Sequence, residues 1–309
     1  MAYYTKINKN ILFKIFSLLI GRKPLLVKGV SQGTDNSNYK IVFFDFVFYF
    51  TLVEKVYKRR NISKIVSFMF IVFYNNIKSI KLFFFNCLNL YKSKFFCISN
   101  EILGKNNVFP NKYKCFYLGK ELSKIHNLNV FFKKNNNFSL KGIFSVFKHN
   151  YKLFFEKFYF LFFKLSYLIL NFKYIDMSFC HCDIFKDNVF FVGNKLGGII
   201  DYYFSCSENV IYDISIVIFE WCFFDCRFLF KNFKYFLFGY LNISSFDLFD
   251  VFVFLNYYLK FVSFRFFITR LIANLNNSFN FKCYSEYLLI GDFFCRNLVF
   301  IIKFFYKYI

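Results

Sequence analysis

Phe179-Cys180-His181-Cys182-Asp183-Ile184-Phe185-Lys186-Asp187-Asn188-Val189-Phe190-Phe191, followed shortly by Gly197-Gly198-Ile199-Ile200-Asp201, is the most informative stretch of this sequence. It gathers one histidine, three aspartates and one asparagine in a chain otherwise rich in Phe, Ile, Lys and Asn. Residues 189–192 have the pattern of a buried strand, residues 193–195 that of a tight turn, and residues 196–200 that of the antiparallel partner strand. Such a hairpin would bring Asn188 and Asp201 to neighbouring ends.

The polar residues of this stretch are spaced as in the catalytic loop of kinases, H-x-D-x-x-x-x-N followed by an Ile-Asp pair. In that arrangement Asp183 accepts the hydrogen bond of an attacking hydroxyl, while Asn188 and Asp201 supply the oxygen ligands that Mg²⁺ prefers. An HxD pair also arises by chance, and Asn is common in this chain. The strand–turn–strand context favours the kinase interpretation. We therefore expect phosphoryl transfer from ATP.

The overall charge of the chain is strongly basic, but its distribution does not suggest a nucleic-acid partner. The 309 residues carry a formal net charge of +23, which in other chains indicates nucleic acid or an anionic membrane surface. Here the cations are mostly lysines scattered singly among Phe, Ile and Asn, and alanine occurs only twice, as A+T-rich codon usage produces. We expect no nucleic-acid partner.

The hydrophobic content of 57% raises the question of a membrane segment. No stretch reaches the roughly 18 uncharged apolar residues that a spanning helix needs, and the first residues lack the features of a signal peptide. We therefore expect a soluble, cytoplasmic protein without a membrane partner. The ten cysteines show no metal-binding spacing and are expected to be reduced thiols that fill the core.

The first hundred residues are predicted to form a small, mainly antiparallel β lobe. A helix is expected over residues 9–20, ended by Gly21, and a second helix over 61–74. The predicted strands cover residues 25–30, 38–44, 46–54, 80–85 and 95–100.

The polar loop between the first two strands is a candidate for phosphate binding. Gly33, Ser37 and Asn38 lie in or beside it, and backbone N–H groups of such a loop can face phosphates. An ordinary polar hairpin loop has the same composition. Thr51 occupies the strand position where kinases carry a phosphate-binding lysine. No lysine is therefore assigned to the nucleotide.

Beyond residue 100 the pattern becomes mostly helical. Helices are predicted over 111–127, 153–172, 211–223, 228–240, 244–273 (with a break) and 285–294, with a loop at 204–209. His126 is expected to be a packed helix-end histidine rather than a metal ligand. Asp213, in the first turn of its helix, could cap the helix or hold the catalytic loop through the loop backbone. We predict an α+β, two-lobed fold with a nucleotide-binding lobe over 1–100 and a catalytic, substrate-binding lobe over 101–309.

Several blocks spread over the chain resemble homoserine kinases of the aminoglycoside-phosphotransferase-like, or protein-kinase-like, superfamily. The most specific are Asp-Asn-Val-Phe-Phe, Ile-Asp-Tyr-Tyr-Phe and Trp-Cys-Phe. The blocks lie at residues 1–6, 54–55, 118–126, 181–191, 196–204, 212–214, 221–223, 265–271 and 285–288.

This resemblance implies that the chain transfers a phosphoryl group from MgATP to L-homoserine, giving O-phospho-L-homoserine on the way to threonine. It implies that Asp183 is the catalytic base and that His181 braces the loop. The amino and carboxylate groups of the substrate would need charged partners, for which Asp187 and Arg270 are candidates, with Arg265 as an alternative for the carboxylate.

Three other interpretations stay open at this point. A related kinase acting on choline, a sugar or an aminoglycoside would share the whole catalytic arrangement. A degenerate pseudokinase that only binds its ligands is compatible with Thr51 at the lysine position. A basic protein that binds membrane surfaces or nucleic acid would show salt-sensitive binding.

Overall fold

The computed structural model of the chain describes two compact units. The described residues are 5–30, 36–54, 59–91, 94–128, 177–225, 227–244 and 248–275, together with 286, 287, 289, 290, 293, 296 and 297. The first unit comprises residues 1–104 and 197–203, and the second comprises residues 105–196 and 204–309. The predicted lobes, 1–100 and 101–309, stay a prediction; the compact units differ by placing 197–203 with the first unit. Gly33 and the predicted helix 153–172 lie outside the described residues.

The first unit is a five-stranded antiparallel sheet with two helices. Its strands are β1 (Leu26–Val30), β2 (Asn36–Val42), β3 (Val47–Val53), β4 (Leu82–Tyr91) and β5 (Lys94–Asn100). They are ordered β1-β2-β3-β5-β4, and every neighbouring pair is antiparallel. The helices are α1 (Lys9–Ile20) and α2 (Arg59–Tyr74). All seven elements were predicted, and the main difference is that β4 continues past residue 85.

Helix α1 shows why local sequence sufficed here. The side chain of Asn8 accepts the N–H of Asn10 at 3.0 Å, and Gly21 adopts φ 73° so that its N–H reaches the carbonyl of Ser17 at 2.9 Å. Both are standard ways to satisfy helix ends. The buried face of the helix places Phe16 among the sheet aromatics, 6.1 Å from the ring of Phe48.

A polar cluster around Glu54 joins the ends of three strands to the N-terminal segment. The Glu54 carboxylate accepts hydrogen bonds from Ser37 on β2, from the ammonium of Lys94 on β5, and from the N–H and hydroxyl of Thr5 at 3.0 and 3.1 Å. Burial raises the pKa of this carboxyl, but the hydrogen bonds from Lys94, Ser37 and Thr5 outweigh burial and lower the pKa from 4.5 to about 2.

This lowered pKa predicts a specific acid sensitivity. A carboxyl whose pKa is lower in the folded state stabilises the fold above its unfolded pKa, and that contribution is lost as the pH falls from 4.5 towards 2. We expect the free energy of unfolding to fall by about 1–2 kcal/mol over this window because of Glu54. Urea unfolding at a series of pH values, compared between the wild type and Glu54→Gln, measures this contribution. An identical pH slope in both proteins would contradict it.

The second unit is mainly helical in its described part. Its helices are α3 (Lys112–His126), α4 (Val210–Trp221), α5 (Phe230–Leu241) and α6 (Leu248–Leu275). Three short strand pairs accompany them: β6 (Met177–Cys180) with β9 (Cys206–Asn209), β7 (Val189–Val192) with β8 (Lys195–Ile199), and β10 (Phe223–Phe224) with β11 (Arg227–Phe228). Strand β8 ends in the stretch assigned to the first unit.

Two predictions for this unit were wrong. Residues 204–209 were expected to form a loop, but Cys206–Asn209 is strand β9, antiparallel to β6. The break expected within 244–273 does not occur in the described part of that range after residue 247, because α6 runs without interruption over Leu248–Leu275 and contains neither Gly nor Pro. Among the described residues, no helix is both long enough and apolar enough to cross a membrane.

Helices α3 and α5 cross at two glycines. A Cβ on Gly119 would lie 2.3 Å from the carbonyl oxygen of Phe236, and a Cβ on Gly239 would lie 2.0 Å from that of Phe116. Real Cβ atoms do not approach backbone oxygens so closely. Only glycine at both positions therefore allows the two helix backbones to approach as they do.

We predict that Gly119→Ala destabilises the protein even though alanine favours helix formation. Alanine in a helix gains up to about 1 kcal/mol over glycine, but forcing α3 and α5 apart should cost about 1–3 kcal/mol or more. Thermal unfolding measures the difference. Gly29→Ala is the control, because its added Cβ would make an ordinary contact of 3.8 Å with Tyr39. A melting temperature for Gly119→Ala at or above that of the wild type would show that the helices can separate freely.

Candidate active site

Asp183 and Asn188 are brought together by the loop that follows β6. A 3-10 turn over Lys186–Asn188 ends this loop just before β7. The side-chain amide of Asn188 donates to both the backbone carbonyl and the carboxylate of Asp183, each at 2.9 Å. Because the amide nitrogen of Asn188 faces Asp183, the oxygen of the same amide group points away from Asp183. That oxygen is the atom through which Asn188 would ligate a cation.

His181 lies behind the loop rather than at its surface. Its side chain is fully buried, and its Nδ1 accepts the backbone N–H of Asp183 at 3.2 Å. The hydroxyl of Ser205 donates to the His181 carbonyl at 3.3 Å. His181 thus holds the backbone on which Asp183 stands.

Asp213 is a second buried support of the same loop. It lies in the first turn of α4 and is fully buried. Its Oδ2 accepts the N–H of His181 at 2.6 Å, and its Oδ1 accepts the N–H of Cys182 at 2.7 Å. Cys182 has φ 65°, a left-handed conformation that costs a non-glycine residue about 1–3 kcal/mol unless its surroundings impose it. Of the two roles expected for Asp213, capping its helix or holding the loop through the loop backbone, these bonds show the second.

His126 extends this network to α3 and α5. Its Nε2 lies 3.2 Å from Oδ2 of Asp213, and its Nδ1 lies 2.7 Å from the hydroxyl of Tyr240. A ligand atom of Cys180 is also near, since the potential ligand atoms of His126, Cys180 and Asp213 all lie within 4.8 Å of one another. Both ring nitrogens of His126 already have protein partners. His126 is therefore a packed helix-end histidine, as predicted.

Trp221 is a further support of the loop. It is the only tryptophan of the sequence, and its indole N–H donates to the carbonyl of Ile184 at 3.1 Å. Its own carbonyl accepts from the side chain of Asn232 at 3.1 Å. Sequence reasoning used Trp221 only as part of the family resemblance. Its loop-supporting role depends on the folding of α4 against the loop.

The cysteines around the loop are structural. Cys180, Cys182 and Cys206 are fully buried, and the Sγ atoms of Cys182 and Cys206 lie 3.3 Å apart. Burial raises the pKa of the Cys180 and Cys182 thiols well above the usual value. Such thiols are protonated and poor nucleophiles at neutral pH. The six cysteines whose state the structure describes are free and buried, as expected from the sequence.

Asp201 belongs to the first unit, whereas Asp183 and Asn188 belong to the second. Its segment is held there by backbone bonds of Ile199, which donates to the Lys78 carbonyl at 3.0 Å and accepts from Ile80 at 3.1 Å. Asp201 has φ 66°, so its backbone is also left-handed. A magnesium site shared by Asn188 and Asp201 stays a prediction.

The residues proposed for the nucleotide phosphates lie on facing strands of the first unit. Ser37 is buried and donates to Glu54 while accepting the N–H of Thr5 at 3.0 Å. Asn38 stands opposite Thr51 in the β2–β3 register, and the Thr51 hydroxyl donates to the Asn38 side chain at 2.8 Å. These contacts give each side chain a partner within the sheet. Their role toward a nucleotide stays a prediction.

The two candidates for substrate binding differ in their surroundings. Asp187 is exposed, and its backbone carbonyl accepts from the side chain of Asn106 at 2.9 Å. Arg270 is largely buried, with its guanidinium 4.0 Å from the carboxylate of Glu220 and 4.1 Å from the ring centroid of Tyr287. Sequence reasoning singled out neither Glu220 nor Tyr287 for a role at the site.

We predict that Asp213→Asn destabilises the protein by about 1–3 kcal/mol. An asparagine offers only one acceptor oxygen, so one of the buried N–H groups of His181 and Cys182 would face an NH₂ group and lose its partner. Urea unfolding gives the free energy, and hydrogen exchange of the His181 and Cys182 amides reports the local effect. Glu121→Gln, which removes the charge of a carboxylate that pairs with Lys124 at 2.8 Å, should change stability much less. Unaltered exchange in Asp213→Asn would contradict the assignment.

Comparison with known proteins gives concordant results. The chain matches the phosphotransferase enzyme family over residues 173–241. It is 26% identical over 305 residues to a homoserine kinase of Rhodopseudomonas palustris (strain BisA53), covering 89% of this chain and 88% of the relative.

Solved structures show the same fold at low sequence identity. A choline/ethanolamine kinase family protein from Mesorhizobium loti superposes with a TM-score of 0.66 and 14% identity, over 95% of this chain and 98% of that protein. A spectinomycin phosphotransferase in complex with ADP and spectinomycin gives a TM-score of 0.62 and 16% identity, over 96% and 98% of the two chains. The predicted kinase-like α+β fold is confirmed. The chain is thus similar to homoserine kinases over most of its length and to the phosphotransferase enzyme family over residues 173–241.

Proposed function

We propose that this protein is an ATP-dependent kinase that phosphorylates L-homoserine, with ADP as the second product. The observation that carries the proposal is the contact of Asn188 with Asp183 at 2.9 Å in a loop held by buried partners. Kinase catalytic loops use such a pair, in which the aspartate accepts the proton of the substrate hydroxyl and the asparagine binds magnesium. The relation to homoserine kinases over nearly the whole chain supports the choice of acceptor, and the ADP complex of a structural neighbour supports the nucleotide.

In the proposed reaction Asp183 accepts a hydrogen bond from the side-chain hydroxyl of the acceptor. The hydroxyl oxygen forms a bond to the γ-phosphorus of ATP while the bond from that phosphorus to the bridging oxygen breaks. ADP leaves, and the hydroxyl proton passes to Asp183 and then to solvent. Because such transition states are loose, positioning contributes more to catalysis than the basicity of the carboxylate.

The donor atoms of Asn188 and Asp201 fit a magnesium ion chemically. Both side chains offer hard oxygen ligands, and the amide nitrogen of Asn188 is already engaged by Asp183, which leaves its oxygen as the ligating atom. Bound Mg²⁺ would neutralise charge on the β- and γ-phosphates. Asp183 would then hold the hydroxyl beside the amide group that positions the ion.

The buried network serves this chemistry by fixing the loop before the substrate arrives. The side chain of Asp183 can hold a hydroxyl in one place only if its backbone is immobile. The bonds from Asp213 and His181 immobilise it on one side, and the Trp221 bond to Ile184 does so one residue further on. Such preorganisation is where enzymes obtain much of their rate.

We predict that the purified protein releases ADP from MgATP with L-homoserine, and that Asp183→Asn lowers kcat at least ~100-fold with unchanged thermal stability. A coupled ADP assay with L-homoserine, choline, L-serine and an aminoglycoside measures the ADP release and kcat, and thermal unfolding measures the stability. Asp45→Asn is the matched control, because Asp45 is exposed and pairs with Arg22 at 3.3 Å; it should retain the wild-type rate.

The pattern of acceptors decides between the candidate functions. Turnover with choline or an aminoglycoside in place of homoserine would keep the kinase chemistry and reject the proposed substrate. Magnesium-dependent ATP binding without turnover on any acceptor would point to a pseudokinase. A rate for Asp183→Asn close to that of the wild type would reject Asp183 as the catalytic base.

A further inference from the structure

The second unit contains a small cavity next to the catalytic loop. Its volume is about 260 Å³, and its lining includes Lys186 of the loop, Glu220 near the end of α4, and Tyr287. Pockets for drug-sized ligands usually have volumes of roughly 300–1,000 Å³. This cavity therefore suits a metabolite of a few heavy atoms better than an aminoglycoside.

The lining of the cavity is acidic although the chain is basic. The whole sequence has 18 Asp and Glu against 41 Lys and Arg, yet Glu220, Asp225 and Glu286 all line this one cavity. Lys186 is the single cation among its lining residues. An excess of carboxylates in a concave site attracts a ligand that carries a positive charge. An ammonium group meets this requirement.

One of the lining carboxylates, Glu220, stands beside an opposite charge, that of Arg270, which adjoins the lining residues Glu220 and Tyr287. Oε1 of Glu220 accepts the hydroxyl of Tyr287 at 2.9 Å, and Nη2 of Arg270 lies 4.0 Å from the same oxygen. The side chains of Arg270 and Glu220 are only 16% and 15% exposed. At 4.0 Å the guanidinium and the carboxylate form an ion pair that is longer than a hydrogen bond.

Two neighbouring opposite charges are the counterpart of a zwitterion. An α-amino acid carries its ammonium and its carboxylate on one carbon, so each group can meet a partner of opposite sign at the same time. The planar guanidinium suits a carboxylate, and it lies 4.1 Å from the Tyr287 ring centroid, which restricts its position. We propose that this cavity binds the head group of an α-amino-acid acceptor, with Glu220 on the ammonium and Arg270 on the carboxylate.

A series of aromatic contacts connects Tyr287 of the cavity lining to the catalytic loop. The ring of Tyr287 lies 5.0 Å from that of Phe266, which lies 5.2 Å from that of Phe185, two residues after Asp183. A head group held at Glu220 and Arg270 leaves the hydroxyl end of the side chain to reach toward the loop. The inference rests on the proposed function, because it assigns the acceptor of that reaction to this cavity. With this proposal the partner of the ammonium is Glu220, in place of the exposed Asp187 that the sequence suggested.

The test uses two variants and two truncated acceptors. Glu220→Gln removes the negative charge, and Arg270→Gln removes the positive one. The acceptors are L-homoserine, its desamino analogue and its decarboxylated analogue, aminopropanol. Isothermal titration calorimetry gives the Kd of each in the presence of a nonhydrolysable ATP analogue and Mg²⁺, and the ADP assay gives KM and kcat. Glu121→Gln is the charge-matched control outside the cavity.

For L-homoserine, each variant should raise Kd and KM at least ~10-fold, the usual effect of losing a charge-assisted hydrogen bond. The KM for ATP should not change. Glu220→Gln should not weaken binding of the desamino analogue, and Arg270→Gln should not weaken binding of aminopropanol. A merely structural role for either residue would weaken all three acceptors alike. Tyr287→Phe, which keeps the carboxylate but removes its hydrogen bond, should give a smaller increase and serves if Glu220→Gln does not fold.

The two levels of the proposal can fail separately. Wild-type Kd values for L-homoserine in both variants, or equal losses for all acceptors, would overturn the assignment of the head-group site even if homoserine is phosphorylated. Binding of L-homoserine that depends on Glu220 and Arg270, without ADP release, would support this site and reject the kinase reaction. If the wild type does not bind L-homoserine at all, both are wrong.

Discussion

The candidate site depends on the hydrogen bonds that the carboxylate of Asp213 accepts. A fully buried charge is costly unless hydrogen bonds surround it, and here two consecutive backbone N–H groups and His126 provide them. Because Asp213 lies in the first turn of α4, its carboxylate also interacts favourably with the positive end of the helix dipole. In return, the carboxylate holds His181 and the left-handed Cys182, and so aims the next residue, Asp183, out of the core.

This network in turn requires the close approach of α3 and α5. His126 ends α3 and meets Tyr240 near the end of α5 at 2.7 Å. That hydrogen bond is possible because Gly119 and Gly239 let the two helix backbones touch. A packing constraint between small residues therefore reaches the candidate catalytic loop through Tyr240, His126 and Asp213. Each step is a contact between buried groups, so little motion is available to weaken it.

The composition of the chain makes these polar contacts more conspicuous. The chain has 57 phenylalanines, and many of those that the structure describes are buried. A low-dielectric environment strengthens paired polar groups and penalises unpaired ones. The cavity shows a similar contrast with the rest of the chain. Its lining is rich in carboxylates although the protein is basic, and one of these carboxylates, Glu220, stands beside Arg270. Carboxylates are scarce in this chain, so their concentration around one cavity calls for a functional or structural explanation.

The sequence by itself determined the elements whose signals are local: helix α1 with its Gly21 end, the five strands of the first sheet, and the loop at residues 181–188. For Asp213 it left two roles open, helix cap or support of that loop, and the structure shows the second. Only the tertiary structure decided the features that join distant residues. Strand β9 has the polar sequence Cys-Ser-Glu-Asn and becomes a strand because β6 pairs with it. The bonds of Lys94 with Glu54, and the placing of Arg270 beside Glu220, join residues whose separation in the chain carries no pattern. Periodicity and end signals act within a few residues, whereas these contacts exist only after the chain has packed.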